Sequence, residues 1–336
     1  MSHIHRKAML LALALLLASG AALLVGAGVG STGFDSVLRA RQDPVAWQII
    51  WDIRVPRTLG AWLAGALLGL AGAVAQGLFR NPLADPFLLG SASGASLGVA
   101  LALALFGGSP FTTQWLARLG LTGAAFAGAV AGVMLTLALA RGVQHTLRLL
   151  LAGVIVGVVL SAAKDLITIA VPDILQAMQA FMLGSTGFVG WTACAIMAGM
   201  LLPALAVAWA LSQVLDGLTL GEATAHSLGL PLAPLRAALV AVLALATGTA
   251  VAQAGLIAFV GLAAPHLVRS IVKTTHGRLI VLSALMGGLL LMAADVLARW
   301  LIAPQELPVG VLTAVLGGSY LLWLMHRRTG GRGGLL

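Results

Sequence analysis

The chain is 336 residues long, 60% hydrophobic, 9% charged and formally +9 at pH 7, with a mean hydropathy of +1.05. A soluble domain carries roughly 45–50% apolar and about 25% charged residues, so an ordinary aqueous enzyme and a disordered chain are both excluded. The 19 Lys and Arg fall in breaks between apolar runs rather than in a stripe, so no nucleic-acid partner is expected and the solvent is membrane lipid.

Residues 8–25 form the first apolar run, after Ser2-His3-Ile4-His5-Arg6-Lys7. This segment has the outline of a signal peptide, with small residues at Ala18-Ser19-Gly20. It is also long enough to span, and many spans follow, so it reads as an uncleaved first helix. Further runs fall at 58–79, 88–106, 118–140, 149–170, 190–212, 234–254, 256–272, 279–300 and 308–326. At about 20 residues per crossing they predict an all-α polytopic membrane protein of about ten spans. The eighth run is the least regular, holding Pro265, His266 and Arg269.

An even number of spans puts both termini on one side. With that side cytoplasmic, twelve basic residues fall inside (Arg6, Lys7, Arg80, Arg141, Arg148, Arg236, Arg269, Lys273, Arg278, Arg327, Arg328, Arg332). Six fall outside (Arg39, Arg41, Arg54, Arg57, Arg118, Arg299), and Lys164 stays in the membrane. Twelve against six predicts cytoplasmic termini. Glycine pairs at Gly26/Gly30, Gly65/Gly69, Gly94/Gly98, Gly128/Gly132 and Gly153/Gly157 predict close helix approach.

Few charges lie at membrane depth. Asp295 and Arg299 have i,i+4 spacing and can meet on one helix face. Lys164 and Asp165 are adjacent, so they point about 100° apart and are expected to need separate partners. Lys164 marks either a pathway or a side chain reaching the outer interface. No carboxylate falls clearly mid-span, which argues against ion coupling. His-Glu-x-x-His is absent, and none of Lys7, Lys164 and Lys273 follows a glycine. No catalytic residue and no nucleotide loop is expected, and the protein is not an enzyme. The single cysteine, Cys194, offers no disulfide or Cys-based metal site, and no metal site is assigned.

Two loops are informative. In the long connector 213–233, Thr219-Leu220-Gly221-Glu222 has the pattern of a capping box and predicts a helix over 220–228, ended by Gly229 and Pro231. Such a helix suits either a partner's groove or an ordinary interfacial position. Between spans two and three, Arg80-Asn81-Pro82-Leu83-Ala84-Asp85-Pro86 holds two prolines, which predict a rigid, non-helical turn serving as connector or gate.

Taken together, six stretches resemble the permease subunits of ATP-binding-cassette importers for vitamin B12, haem and ferric siderophores, the FecCD-type permeases. They are Arg54-Val55-Pro56-Arg57, QGLFRNPLADPFLLG (76–90), LGEATAHSLGL (220–230), GLIAFVGLAAPHLVR (255–269), AADVLARW (293–300) and ELPVG (306–310). The resemblance implies a type II importer permease in a bacterial inner membrane, one permease domain over 1–336, forming a homodimer with its path on the dimer axis. It also implies two cytoplasmic ATPase subunits, which would bind ATP and Mg, a periplasmic binding protein, and no cofactor in this chain.

Carried over residue by residue, the ATPase-coupling segment is Thr219, Leu220, Gly221, Glu222, Ala223, His226, Ser227, Leu228 and Gly229. Arg54, Arg57 and Arg299 match arginines that pair with glutamates of the binding protein. Asn81, Leu83, Thr146 and Leu147 match the cytoplasmic gate. The expected path lining is Gly153, Gly157, Ser161 and Lys164, and His266 is read as structural. No histidine lies mid-path to ligate haem iron. One tyrosine and few polar groups in the spans favour a flat apolar ligand, and Lys164 could attract propionates. Haem is the expected cargo, with a ferric siderophore or vitamin B12 as alternatives. The rival classes are an ion-coupled secondary transporter and a non-transporting membrane scaffold.

Overall fold

The computed structural model describes residues 2–30, 33–34, 43–107, 115–140, 146–227 and 231–330. The elements are α1 (Ser2–Gly28), α2 (Pro44–Ile49), α3 (Val55–Leu78), α4 (Ser91–Phe106), α5 (Trp115–Leu139), α6 (Thr146–Ala170) and α7 (Leu175–Leu183), followed by α8 (Trp191–Ala210), α9 (Ser212–Thr219), α10 (Glu222–Ser227), α11 (Leu232–Ala254), α12 (Val260–Ile271), α13 (His276–Trp300) and α14 (Val309–Gly330). Apart from a two-residue antiparallel pairing of Val29–Gly30 with Gly33–Phe34, the described residues hold no strand. The chain is all-helical, and each predicted apolar run is wholly or partly helix.

Among the described residues, seven helical stretches are long and apolar enough to cross a membrane, while α4 and the apolar part of α14 are shorter. The eighth predicted span is corrected. Its helix, α12, has only 12 residues, about 18 Å at 1.5 Å per residue against a hydrocarbon core of about 30 Å. Gly255 (φ +71°) ends α11, and Phe259 (φ +69°) takes the left-handed conformation just before α12, so the stretch between them leaves the helix. At the other end of the chain, α2 continues through a wider π-type turn, Ile50–Arg54, into α3. The resulting 35-residue rod is longer than a crossing requires, so α2 extends beyond the apolar slab.

Buried α3 is the axis of the molecule, and α13 lies along it. A methyl group on Gly65 would run into the Gly287 carbonyl, and one on Gly69 into the Ser283 carbonyl. The predicted pairs Gly94/Gly98 and Gly128/Gly132 likewise bring α4 and α5 together, Gly94 against the Gly128 backbone. In lipid there is little hydrophobic gain from joining two apolar helices, so this contact area and its dispersion energy hold the bundle. By contrast, α6 leaves Leu147, Leu151, Val154, Val158 and Ile169 exposed, and α14 leaves Val315 and Leu322 exposed.

Candidate functional site

At the outer end by the predicted topology, the Arg-x-Pro-Arg motif spans the junction of the π-type turn and α3, with Pro56 the second residue of α3. Arg57 Nε donates to Asp295 Oδ1 at 3.2 Å and its Nη1 to Glu306 Oε2 at 2.7 Å. Asp295 is fully buried and also accepts from Thr186 Oγ1 and from Arg299 Nη2. Arg299 spends its other donors on the Gly26 carbonyl (2.9 Å), the Val29 carbonyl (3.2 Å) and Thr58 Oγ1 (2.8 Å). Charges removed from water persist only when paired and hydrogen-bonded, and this cluster meets that condition.

The expected i,i+4 contact of Asp295 and Arg299 is present. The docking expectation for Arg299 is corrected, because the residue is 1% exposed and its guanidinium is saturated from within. Arg57 is also nearly buried. Arg54 is half-buried, donating from Nη1 to the Gly28 carbonyl at 3.2 Å. Beside them Trp47, Trp51 and Trp191 form an exposed aromatic group, with Trp51 and Trp191 centroids 5.1 Å apart.

A groove of about 570 Å³ runs along α6. Its wall brings together the predicted path residues Gly153, Gly157 and Ser161 with Ser93, Asp85 and Asp165. Ser161 Oγ donates to Ser93 Oγ at 3.1 Å, and Gly153 lies directly against the Leu88 backbone. Lys164 does not line this groove. Its Nζ lies 2.6 Å from Asp165 Oδ1, correcting the expectation of separate partners, because the long lysine stem bends around the helix to its neighbour.

In the loop between α3 and α4, where the gate is expected, two short polar side chains fold back on the backbone. Asn81 Oδ1 accepts from the Leu83 N–H (2.9 Å), and Asp85 Oδ1 accepts from the Phe87 N–H (2.8 Å). These turns and the prolines that follow Asn81 and Asp85 give the non-helical loop expected from the sequence. Burial pushes the Asp85 carboxyl up to about 6, and the Phe87 N–H pulls it only part of the way back. Leu83 and Leu147 are exposed, Leu147 to 79%. The side chain of Thr146 lies outside the described residues.

The coupling segment differs from its predicted form. The helix starts at Glu222 rather than at 220 and runs to the last described residue there, Ser227, and Gly221, at φ +103°, takes the cap position, its carbonyl accepting from the Ala225 N–H at 3.0 Å. Thr219 instead ends α9, and its Oγ1 donates back to the Asp216 carbonyl at 2.6 Å. The hydroxyl is therefore not the predicted cap: glycine reaches the left-handed turn without a Cβ clash, which leaves Thr219 in the preceding helix. Leu220 is exposed and Ser227 Oγ donates to the Thr224 carbonyl. The side chains of Glu222, Ala223 and His226, together with Leu228 and Gly229, lie outside the described residues.

Sequence reasoning missed three links. Gln76 Nε2 donates to the Leu262 carbonyl (3.2 Å) while its Oε1 accepts from Arg269, fixing α12 to the end of α3. His276 meets Asp216. Thr186 completes the Asp295 cluster. Each joins residues far apart in the chain, so no local spacing announces it. His266 Nδ1 lies 2.8 Å from Tyr320 Oη.

The chain matches the FecCD transport family over residues 10–327. It is 38% identical over 330 residues to the hemin transport system permease protein HmuU of Yersinia pestis, covering 97% of this chain and 96% of that one. It is 42% identical over 277 residues to the vitamin B12 import system permease protein BtuC of Salmonella typhimurium, covering 82% and 83%. Among solved structures, one described as an inward-facing ABC transporter of metal-chelate type superposes with a TM-score of 0.84 at 29% identity, covering 94% of this chain and 98% of the other. PsaBC from Streptococcus pneumoniae shares the fold at a TM-score of 0.54 and 21% identity. With no catalytic role of its own and an ATPase on a separate chain, this multi-pass protein belongs to the FecCD family of bacterial ABC importer permeases.

Proposed function

We propose that this permease moves haem from a periplasmic binding protein into the cytoplasm by alternating access, as a homodimer in the inner membrane with both termini cytoplasmic. The observation that carries the haem reading is the similarity to a hemin permease over 97% of the chain. The long apolar groove beside α6 suits a flat macrocycle. A second copy would close that groove against the exposed faces of α6 and α14, with Asn81, Leu83, Thr146 and Leu147 at its inner mouth.

In this reading the single membrane domain contacts two ATPase subunits through residues 219–229, where exposed Leu220 and the short α10 offer a docking knob. The binding protein meets Arg54 and Arg57 at the outer face, while Arg299 holds Asp295 from behind. Rim charges of this kind set register and on-rate more than affinity.

Vitamin B12 is the second reading, favoured by one observation. Among the described residues the charged groups lining the groove are Asp85 and Asp165, and Lys164 is paired with Asp165, so none of them draws the propionates of haem. The test is ATP-dependent uptake in proteoliposomes holding the permease, its ATPase and its binding protein, with haem, cobalamin and a ferric siderophore compared. Uptake of haem alone supports the proposal, and uptake of cobalamin alone replaces it. Uptake driven by an ion gradient at constant ATP would point instead to the secondary-transport class.

A further inference from the structure

His276 opens α13, and both its backbone and its ring engage one carboxylate. Its N–H donates to Asp216 Oδ1 at 3.1 Å, and its Nδ1 lies 2.7 Å from the same oxygen. Asp216 belongs to α9, just ahead of Gly221 and α10, and its carbonyl holds Thr219. A carboxylate is well placed there, because the first N–H groups of a helix lack partners and carry the positive end of its dipole. The His276 ring also rests against the inner end of α3, where a methyl on Gly77 would come within 3.0 Å of it.

From His276, α13 runs unbroken to Trp300. Asp295 stands about 28 Å further along its axis, at 1.5 Å per residue, and there grips Arg57 and Arg299. Between these points the backbones of α3 and α13 lie against each other at Gly65, Gly69 and Gly287, too close for any side chain between them. Two helices thus form one stiff unit, ending outside in the Arg57 cluster and inside in the Asp216–His276 contact. Rigid elements of this kind can carry coupling between distant sites when both sites bias them.

We infer that Asp216 and His276 are positioning residues that link the movement of the coupling segment to the α3–α13 unit, and through it to the outer face where the binding protein docks. The inference rests on the proposed roles of residues 219–229 and Arg57. Neither Asp216 nor His276 touches ATPase, binding protein or cargo in this scheme. Their contact transmits a displacement of α9 to the end of α13.

The test uses the complete importer in proteoliposomes, with ATP hydrolysis measured with and without binding protein. His276→Leu removes the ring bond, whereas His276→Asn places an amide nitrogen where Nδ1 stood and keeps it. The expected result is that His276→Leu retains ATPase co-purification and basal hydrolysis but loses at least about fivefold of the stimulation by binding protein, the low end for coupling between distant sites. His276→Asn restores it. Undiminished stimulation in His276→Leu would overturn the inference and leave the importer reading intact. Loss of ATPase co-purification in both variants would overturn it too, assigning the pair a purely structural role. Absence of stimulation in the unmodified importer would instead remove the docking reading on which the inference rests.

Discussion

Asp295 carries the densest charge pairing in the described residues, and its substitution is the most severe single change expected. Asp295→Ala leaves Arg57 and Arg299 facing each other in a buried site, at a cost of about 3–5 kcal/mol. A large drop in the thermal midpoint of the detergent-solubilised protein is the readout. Glu306 is different, because its side chain is a third exposed and it shares Arg57 with Asp295. Glu306→Gln frees one face of that guanidinium for an incoming carboxylate. Binding-protein affinity is expected to rise by up to about fivefold, the range for a partly exposed pair, and a titration on reconstituted permease checks it.

Asp85 is a third residue with a measurable signature. Its carboxyl rises from an ordinary 3.8 to about 6, so the folded chain keeps this proton to a higher pH than the unfolded chain does. Its contribution to stability is greatest below the unfolded value and is lost as pH rises through about 6. Asp85→Asn still accepts from the Phe87 N–H, and the variant should show a flatter pH dependence across that window in thermal unfolding scans.

Among the elements, the α3–α13 contact is set by backbone against backbone. Gly69→Leu forces a side chain into the Ser283 carbonyl and is expected to cost about 1–3 kcal/mol, read as a lowered thermal midpoint. Gly157→Ala makes the contrast: its nearest neighbour is Ser93 Oγ at 3.6 Å, an ordinary contact. Stability should hold there. The same glycine pattern thus has two meanings, and only the facing element separates them. The shortness of α12 has a separate origin, since Phe259 takes the left-handed conformation inside the run 256–272, where the apolar sequence gives no sign of a break.

For the whole molecule, the proposed homodimer places the exposed face of α6 at the symmetry axis. Cys194 is the only cysteine and is buried, its thiol donating to the Pro56 carbonyl. In a Cys194→Ser background, Val158→Cys is therefore the sole thiol, and mild oxidation in membranes should give a crosslinked dimer on a non-reducing gel. An entirely monomeric band would count against the α6 interface.

The chain's own composition determined that it spans a membrane many times, since 60% hydrophobic and 9% charged residues leave no other solvent. Helix positions followed from apolar run length, and the family from short loops whose residues are contiguous. Glycine pairs marked several of the close approaches, because small residues are what lets backbones touch in lipid. Apart from the i,i+4 pair of Asp295 and Arg299, tertiary structure decided which polar groups meet. Arg299 reads from the sequence as an outer-face cation, yet the fold turns it inward onto Asp295, Thr58 and the end of α1. Thr219 reads as a cap, yet a left-handed glycine takes that place. Asp216 and His276 carry no shared motif, and only the docking of α9 on α13 brings them together. Helix formation is a property of neighbours in the chain, whereas the pairing of buried charges depends on helices that meet across hundreds of residues.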